Sequence, residues 1–180
     1  MKIFAVGDIC PTGKTWDLFK NGDIDALFGN TIEVIRAHDF AIANLECAIT
    51  EADKGIEKFG PCLKAPIESA KTLKNAGFTA LSISNNHFFD FGKKGALDSL
   101  SAINEAGLLS VGFGKNYEAS RKNLVIEKDG ERVCIIDVCE HEYSYALDDR
   151  MGARPYDEYD TMDDIRNAKK DCDRVIVLYH

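Results

Sequence analysis

Short apolar runs alternate along the chain with segments whose apolar positions recur at helical spacing. Lys2 to Val6 is an apolar run closed by Gly7-Asp8, which predicts a first strand. Over residues 24–37, Ile24, Leu27, Phe28, Ile32 and Ile35 recur at the spacing of one helix face. Phe40 to Leu45 predicts a second strand and Phe78 to Ile83 a third. Between them, residues 50–64 mix charges with two glycines and a proline and predict a long loop. Pro66 opens, and Gly77 closes, a predicted helix running to Asn75, since proline suits a first turn and glycine the position past the end. A second helix is predicted from Ala96 to Ala106, stopped by Gly107, and a strand follows at Leu108 to Val111. Leu124 to Glu127 and Val133 to Val138 flank Lys128-Asp129-Gly130-Glu131, and Asp-Gly between apolar runs predicts a hairpin. Residues 148–160 read as acidic and irregular, Asp163 to Lys169 as a helix, and Arg174 to Tyr179 as a last strand.

Strands alternating with helices predict an α/β fold on a largely parallel sheet, to which the hairpin adds an antiparallel part. A length of 180 residues suits a single domain, 1–180, with a substantial core. Val175 to Leu178 reads as a core strand close to His180, where a parallel unit is expected to continue into a covering helix. That ending predicts a truncated fold, the amino-terminal part of a longer protein. A sheet edge left exposed there would favour homo-oligomer formation by pairing between copies.

Composition narrows the classes. An apolar fraction of 45% and a charged fraction of 29% belong to ordinary globular proteins. A net charge of -8, with lysines and arginines scattered, argues against nucleic acid or an anionic membrane as partner. A phosphorylated substrate would then need a bound cation to attract it. The six cysteines form no C-x-x-C pair, and Cys134 and Cys139 sit in an apolar run as small core residues. With neither a signal peptide nor a membrane-length apolar segment, the expected location is the cytoplasm, with reduced thiols.

Candidate chemistry collects at strand ends, where open α/β sheets place their ligands. Asp8 follows the first strand, Glu46 follows Asn44-Leu45 at the second, and Ser84-Asn85-Asn86-His87 follows the third. Taken singly, each has a plain reading: a turn or cap aspartate, a solvated strand end, an asparagine in a left-handed turn. Together they are the carboxylate, amide and imidazole groups that a metal-assisted hydrolase uses. His180 follows another apolar strand and offers a further imidazole, or is simply a terminal residue. His38, beside Asp39 at a helix end, reads as structural. His141, among Glu140 and Glu142, reads as part of a solvated loop. Two phosphate-loop lookalikes fail. Gly13-Lys14-Thr15 lacks a glycine at the Walker spacing, where Asp8 stands, and Gly112-Phe113-Gly114 has Tyr117 at the third glycine position.

Val6-Gly7-Asp8-Ile9, Ala43-Asn44-Leu45-Glu46, Ser84 to Gly92, Ala106-Gly107 with Val111 to Gly114, and Val175 to His180 together resemble the CapA family of bacterial capsule, or poly-gamma-glutamate, synthesis proteins. That family is similar to calcineurin-like metallophosphoesterases. The resemblance implies a four-layer α/β/β/α sandwich with a site for two divalent metal ions, drawn from Mn, Fe, Zn or Mg. By position, Asp8 resembles a first-metal ligand, Glu46 stands where related enzymes carry a bridging aspartate, and Asn86 and His180 resemble second-metal ligands. His87 resembles the general acid. Cys10 stands where such enzymes often have a histidine and is a further possible ligand. The implied function is a metal-dependent phosphoesterase in capsule synthesis, acting on a phosphorylated or polymer-related substrate. The alternative is a non-catalytic scaffold in a polymer synthesis or export complex at the membrane.

Overall fold

The computed structural model describes residues 1–140 and 143–180, so His141 lies outside the described residues. The chain divides into two compact units, one of residues 2–81 and 87–109, the other of Met1 with residues 82–86 and 110–180.

In the first unit, β1 (Ile3–Ile9) runs parallel to β2 (Phe40–Leu45), from Ile3 opposite Phe40 to Ile9 opposite Leu45. They belong to a four-stranded sheet ordered β1-β2-β5-β6, with β5 at Ala80–Ser82 and β6 at Leu109–Val111. The register slips by one residue between Val6 and Asp8. Gly7 is therefore a bulge, and β1 continues past the end predicted from the apolar run. Asp8 lies inside the strand rather than after it, because the bulge absorbs one residue and lets Asp8 pair with Asn44. The helix predicted over 24–37 is two helices, α2 (Ile24–Phe28) and α3 (Thr31–Arg36). Gly29, at a φ of 50°, breaks the ladder in a conformation that residues with a Cβ avoid. A helix not predicted, α1 (Trp16–Asn21), precedes them. The loop over 50–64 ends in a two-residue strand, β4 (Lys64–Ala65), parallel to β3 (Ala48–Ile49).

Pro66 lies three residues before α4 (Ser69–Ala76) rather than in its first turn, and Gly77 closes the helix in a left-handed conformation as predicted. α5 (Gly92–Glu105) starts four residues before the predicted Ala96. Its Gly-Lys-Lys opening carries no apolar period to mark it. The rings of Phe19, Phe28 and Phe78 meet edge to face at 6.2 and 5.9 Å, beside a core that includes Ile35 and Leu73. Each such buried side chain contributes roughly 1.5–3 kcal/mol. Ser99 on α5 accepts the Ile49 N–H at 2.8 Å, which ties the helix to β3.

The second unit is built on the sheet β11-β9-β8. β8 (Leu124–Lys128) and β9 (Glu131–Val138) form the predicted hairpin, with Asp129 and Gly130 both at positive φ, 52° and 78°, as a type I′ turn requires. β11 (Arg174–Tyr179) pairs in parallel with β9. α7 (Glu158–Asp171) is twice the predicted helix: the Asp157 side chain caps it by accepting the Asp160 N–H at 2.9 Å. Part of the acidic stretch is thus a first turn, where carboxylates suit the helix dipole. Ile165, Ala168 and Cys172 cover Cys134, Ile136 and Val138 of β9. β7 (Phe113–Gly114) pairs antiparallel with β10 (Gly152–Ala153), beside the short α6 (Tyr117–Ser120). Cys134 and Cys139 are buried, as their apolar surroundings predict. Among the described residues no helix is long and apolar enough to cross a membrane.

Candidate functional site

Within the first unit, the bulge at Gly7 turns Asp8 so that its Oδ1 accepts a 2.8 Å hydrogen bond from the Asn44 side chain on β2. Glu46 leaves β2 with its N–H still bonded to the Ile9 carbonyl at 3.0 Å, so the two acidic residues stand on neighbouring chain segments at the same sheet edge. His87 Nε2 lies 4.0 Å from Glu46 Oε1. On its other side, His87 Nδ1 is 2.7 Å from Asp90 Oδ2. The spacing is one helical turn, and Asp90 is fully buried.

Asp90 is held from several directions. Its Oδ2 accepts the Leu63 N–H at 2.7 Å and its Oδ1 is paired with Lys58. The Lys58 ammonium, itself buried, also lies 3.1 Å from His87 Nδ1. The short contact between Nδ1 and Oδ2 needs a proton between them, so the ring N–H donates to Asp90 Oδ2 while Lys58 is ion-paired with Oδ1. This fixes the His87 tautomer with the proton on Nδ1 and leaves Nε2 as the nitrogen of the dyad that faces Glu46. The loop bearing Lys58 approaches closely: the Ile56 N–H donates to the Asp90 carbonyl at 2.8 Å. A Cβ on Gly55 would meet Cys62 Sγ at 2.5 Å.

Cys10, one residue past β1, is hydrogen-bonded through its side chain to Cys47. That bond pulls the Cys10 thiol below its usual range. The same bond, with burial, pushes the Cys47 thiol well up.

Within the second unit, residues 82–86 are fixed by β9. The Asp137 carboxylate accepts from Ser82 Oγ at 2.8 Å, from the Ile83 N–H at 3.1 Å and from the Ser84 N–H at 2.9 Å. Burial pushes Asp137 up to about 7, against the opposing pull of those three donors. Ser84 Oγ donates to the Arg154 carbonyl at 2.9 Å, and Ser144 Oγ to the Asn85 carbonyl at 2.8 Å. Gly112, at a φ of 96°, leaves no room for a Cβ, which would strike Asp137 Oδ2 and sit 2.6 Å from Ser84 Cβ. Asn86 at the end of this segment has its Oδ1 3.0 Å from His180 Nε2. His180 continues the pairing of β11, donating its N–H to the Val138 carbonyl at 3.0 Å and accepting from the Glu140 N–H at 3.0 Å.

The structure thus brings Asp8, Glu46 and His87 together in one unit and Asn86 and His180 in the other. His38 is structural: its Nδ1 contacts the Val34 carbonyl at 2.7 Å and its ring packs on Phe4. Three contributors escaped the sequence reading. Asp90 sat inside the motif without a role, although its i, i+3 spacing from His87 was the signal. Asp137 is the one carboxylate in the apolar run over 133–138, a position that demands partners. Lys58 had no sequence signal, being one of several charges in a loop.

A mixed α/β fold on parallel strands, with polar groups at the strand ends, defines a class: the calcineurin-like fold of the nucleotidases. The Haemophilus influenzae NAD nucleotidase NadN shares it over 87% of this chain and 28% of its own, with a TM-score of 0.53 and 16% identity. A hypothetical protein from Thermus thermophilus shares it over 100% of this chain and 57% of its own, with a TM-score of 0.55 and 19% identity. Within that class the chain belongs to the bacterial capsule synthesis protein family PGA_cap, whose model matches residues 2–180. The capsule biosynthesis protein CapA of Bacillus anthracis is 32% identical over 140 residues, covering 73% of this chain. The chain spans about a third of that relative's length, 33%.

Proposed function

We propose that the chain serves capsule or poly-gamma-glutamate synthesis as a metal-dependent phosphoesterase. The observation that carries this reading is the His87–Asp90 dyad, with Nδ1 held at 2.7 Å and Nε2 turned toward Glu46. The donor types suit divalent metal ions: the first unit offers the carboxylates of Asp8 and Glu46, and the second the amide oxygen of Asn86 and the imidazole of His180, each a hard to borderline ligand for Mn, Fe, Zn or Mg. When bound, such ions neutralise phosphate oxygens and activate water. Asn44 orients Asp8 for ligation, as an outer-shell partner does. Asp90 holds the His87 ring through Nδ1, and the general-acid role would run through Nε2 toward the leaving alkoxide.

Hydrolysis of p-nitrophenyl phosphate with added Mn²⁺ tests the reading. His87→Ala is expected to lower kcat by about 10²- to 10⁴-fold, the usual worth of positioned acid–base catalysis. Equal rates for the two proteins would overturn the catalytic role. A second reading, a non-catalytic scaffold in a polymer synthesis or export complex, draws on Cys10, whose side chain is engaged by Cys47. Stoichiometric metal content in the purified protein would count against it.

A further inference from the structure

Within the first unit, α1, the chain after β3 and the approach to α4 enclose a cavity of about 230 Å³ that the candidate site does not use. Trp16 opens α1, and Lys20 lies one turn further along the same helix face. Thr72 Oγ1 donates to the Phe19 carbonyl at 2.7 Å, which ties α1 to α4. The opposite wall is fixed as well. The Thr50 hydroxyl donates to Asp98 on α5 and accepts the Ala52 N–H at 3.1 Å. The Lys64 ammonium is turned to the Ala52 carbonyl at 2.8 Å. Ile67, 40% exposed, adds apolar surface beside the half-buried Trp16. Three charges at this cavity remain unspent. Lys20, Glu51 and Glu68 are exposed and form no ion pair among the described residues, although they border one space. The Glu68 carboxylate does not even cap α4, which it precedes.

We propose that this cavity binds a zwitterionic α-amino acid with an apolar side chain. Its carboxylate pairs with Lys20, its ammonium with Glu51 and Glu68, and its side chain lies against Trp16 and Ile67. A plain anion would meet two carboxylates there, and a plain cation the Lys20 ammonium. A molecule that carries both charges around an apolar body satisfies all three groups and the wall between them. The volume also fits, since it falls below the roughly 300–1,000 Å³ of sites for larger ligands. A neighbouring cavity of about 470 Å³ shares Ile67 and Glu68 but lacks this pattern. There the Lys74 ammonium is spent on the Gly107 carbonyl at 2.8 Å and the Glu105 carboxylate accepts the Ser101 hydroxyl at 2.8 Å, with no aromatic ring in the lining.

Trp16 is the only tryptophan of the chain, so its fluorescence reads the cavity directly. L-leucine, L-valine and L-methionine are titrated into the protein while Trp16 emission is followed. A saturable change is expected with at least one of them. Isocaproate, which is leucine without its ammonium, and isoamylamine, which is leucine without its carboxylate, are expected to leave the emission unchanged. Lys20→Met and Glu68→Gln are expected to raise the dissociation constant at least about threefold each, the scale of a solvated ion pair, in proteins that keep the wild-type circular dichroism. Lys71→Met, which alters the neighbouring cavity alone, is expected to leave it unchanged. No saturable change with any of the three amino acids overturns the proposal. So does an equal response to isocaproate or isoamylamine, or an affinity that neither Lys20→Met nor Glu68→Gln weakens. The His87–Asp90 dyad is not part of the cavity lining, so either outcome leaves the phosphoesterase reading to its own test.

Discussion

Asp137 and Lys58 are the residues whose environments make the sharpest demands. Asp137 has a folded-state value of about 7 against an ordinary 3.8. Between those limits the folded protein binds the proton more tightly than the unfolded chain, so stability falls as pH rises from about 4 to 7. The move corresponds to about 4 kcal/mol. In Asp137→Asn the amide oxygen still accepts the Ile83 and Ser84 N–H groups, and its NH₂ donates to the Ser82 hydroxyl. This variant is expected to lose that pH dependence and to exceed the wild type at pH 8, as urea melts across the range will read. An unchanged slope would remove Asp137 as its cause. Lys58 pairs with an Asp90 side chain that has no solvent exposure. Lys58→Ala leaves that carboxylate buried without its cation, and about 3–5 kcal/mol of stability is expected to go with it in the same melts. Glu46, Asn86 and His87 were legible in sequence as polar positions past the second and third strands, because strand ends announce themselves by a switch from apolar to polar residues, whereas Asp8 lies within β1. Lys58 was not, because its role depends on where a loop folds back, which no local pattern encodes.

Helices and strands were legible where periodicity or turn chemistry acted alone. The Asp129-Gly130 hairpin and the Gly77 stop are local events, decided by residues that accept positive φ. The bulge at Gly7 was not legible, because it exists only in the register of β1 against β2. The same holds for the start of α5 and for α7, whose extent is set by an Asp157 cap and by packing on β9 rather than by its own apolar spacing. Gly112 is an element-scale constraint of this kind. It lies between β6 and β7 at a φ of 96°, with Asp137 and Ser84 against the space a side chain would take. Gly112→Ala meets both backbone strain and a clash with a hydrogen-bonded carboxylate. A loss of more than about 2 kcal/mol is expected, since positive-φ strain alone costs about 1–3 kcal/mol. Gly130→Ala, where nothing lies within 4 Å of the added Cβ, carries the strain without the clash and is the control. Equal losses in the two variants would mean that the Asp137 contact yields freely.

For the whole molecule, the acidic balance and the metal-dependent reading meet in one measurement. A chain of net charge -8 attracts cations without a specific site, and any salt relieves part of its self-repulsion. A ligand that binds only the folded state acts differently, stabilising by mass action, about 2.7 kcal/mol at a hundredfold excess over its dissociation constant. For a chain of 180 residues each kcal/mol moves Tm by roughly 2–4 °C. Saturating Mn²⁺ is therefore expected to raise Tm by about 5–10 °C, well beyond what NaCl of matched ionic strength produces. Asp8→Asn and Glu46→Gln keep the side-chain shapes and lower the ligand charge, so the specific part of the shift should shrink sharply in both. General screening predicts instead that each variant, less acidic by one charge, keeps nearly the same Mn²⁺ response. If calorimetry finds the wild type and both variants shifting alike, the carboxylates of Asp8 and Glu46 hold no ion. The His87–Asp90 dyad would then be left to orient a group in the scaffold role.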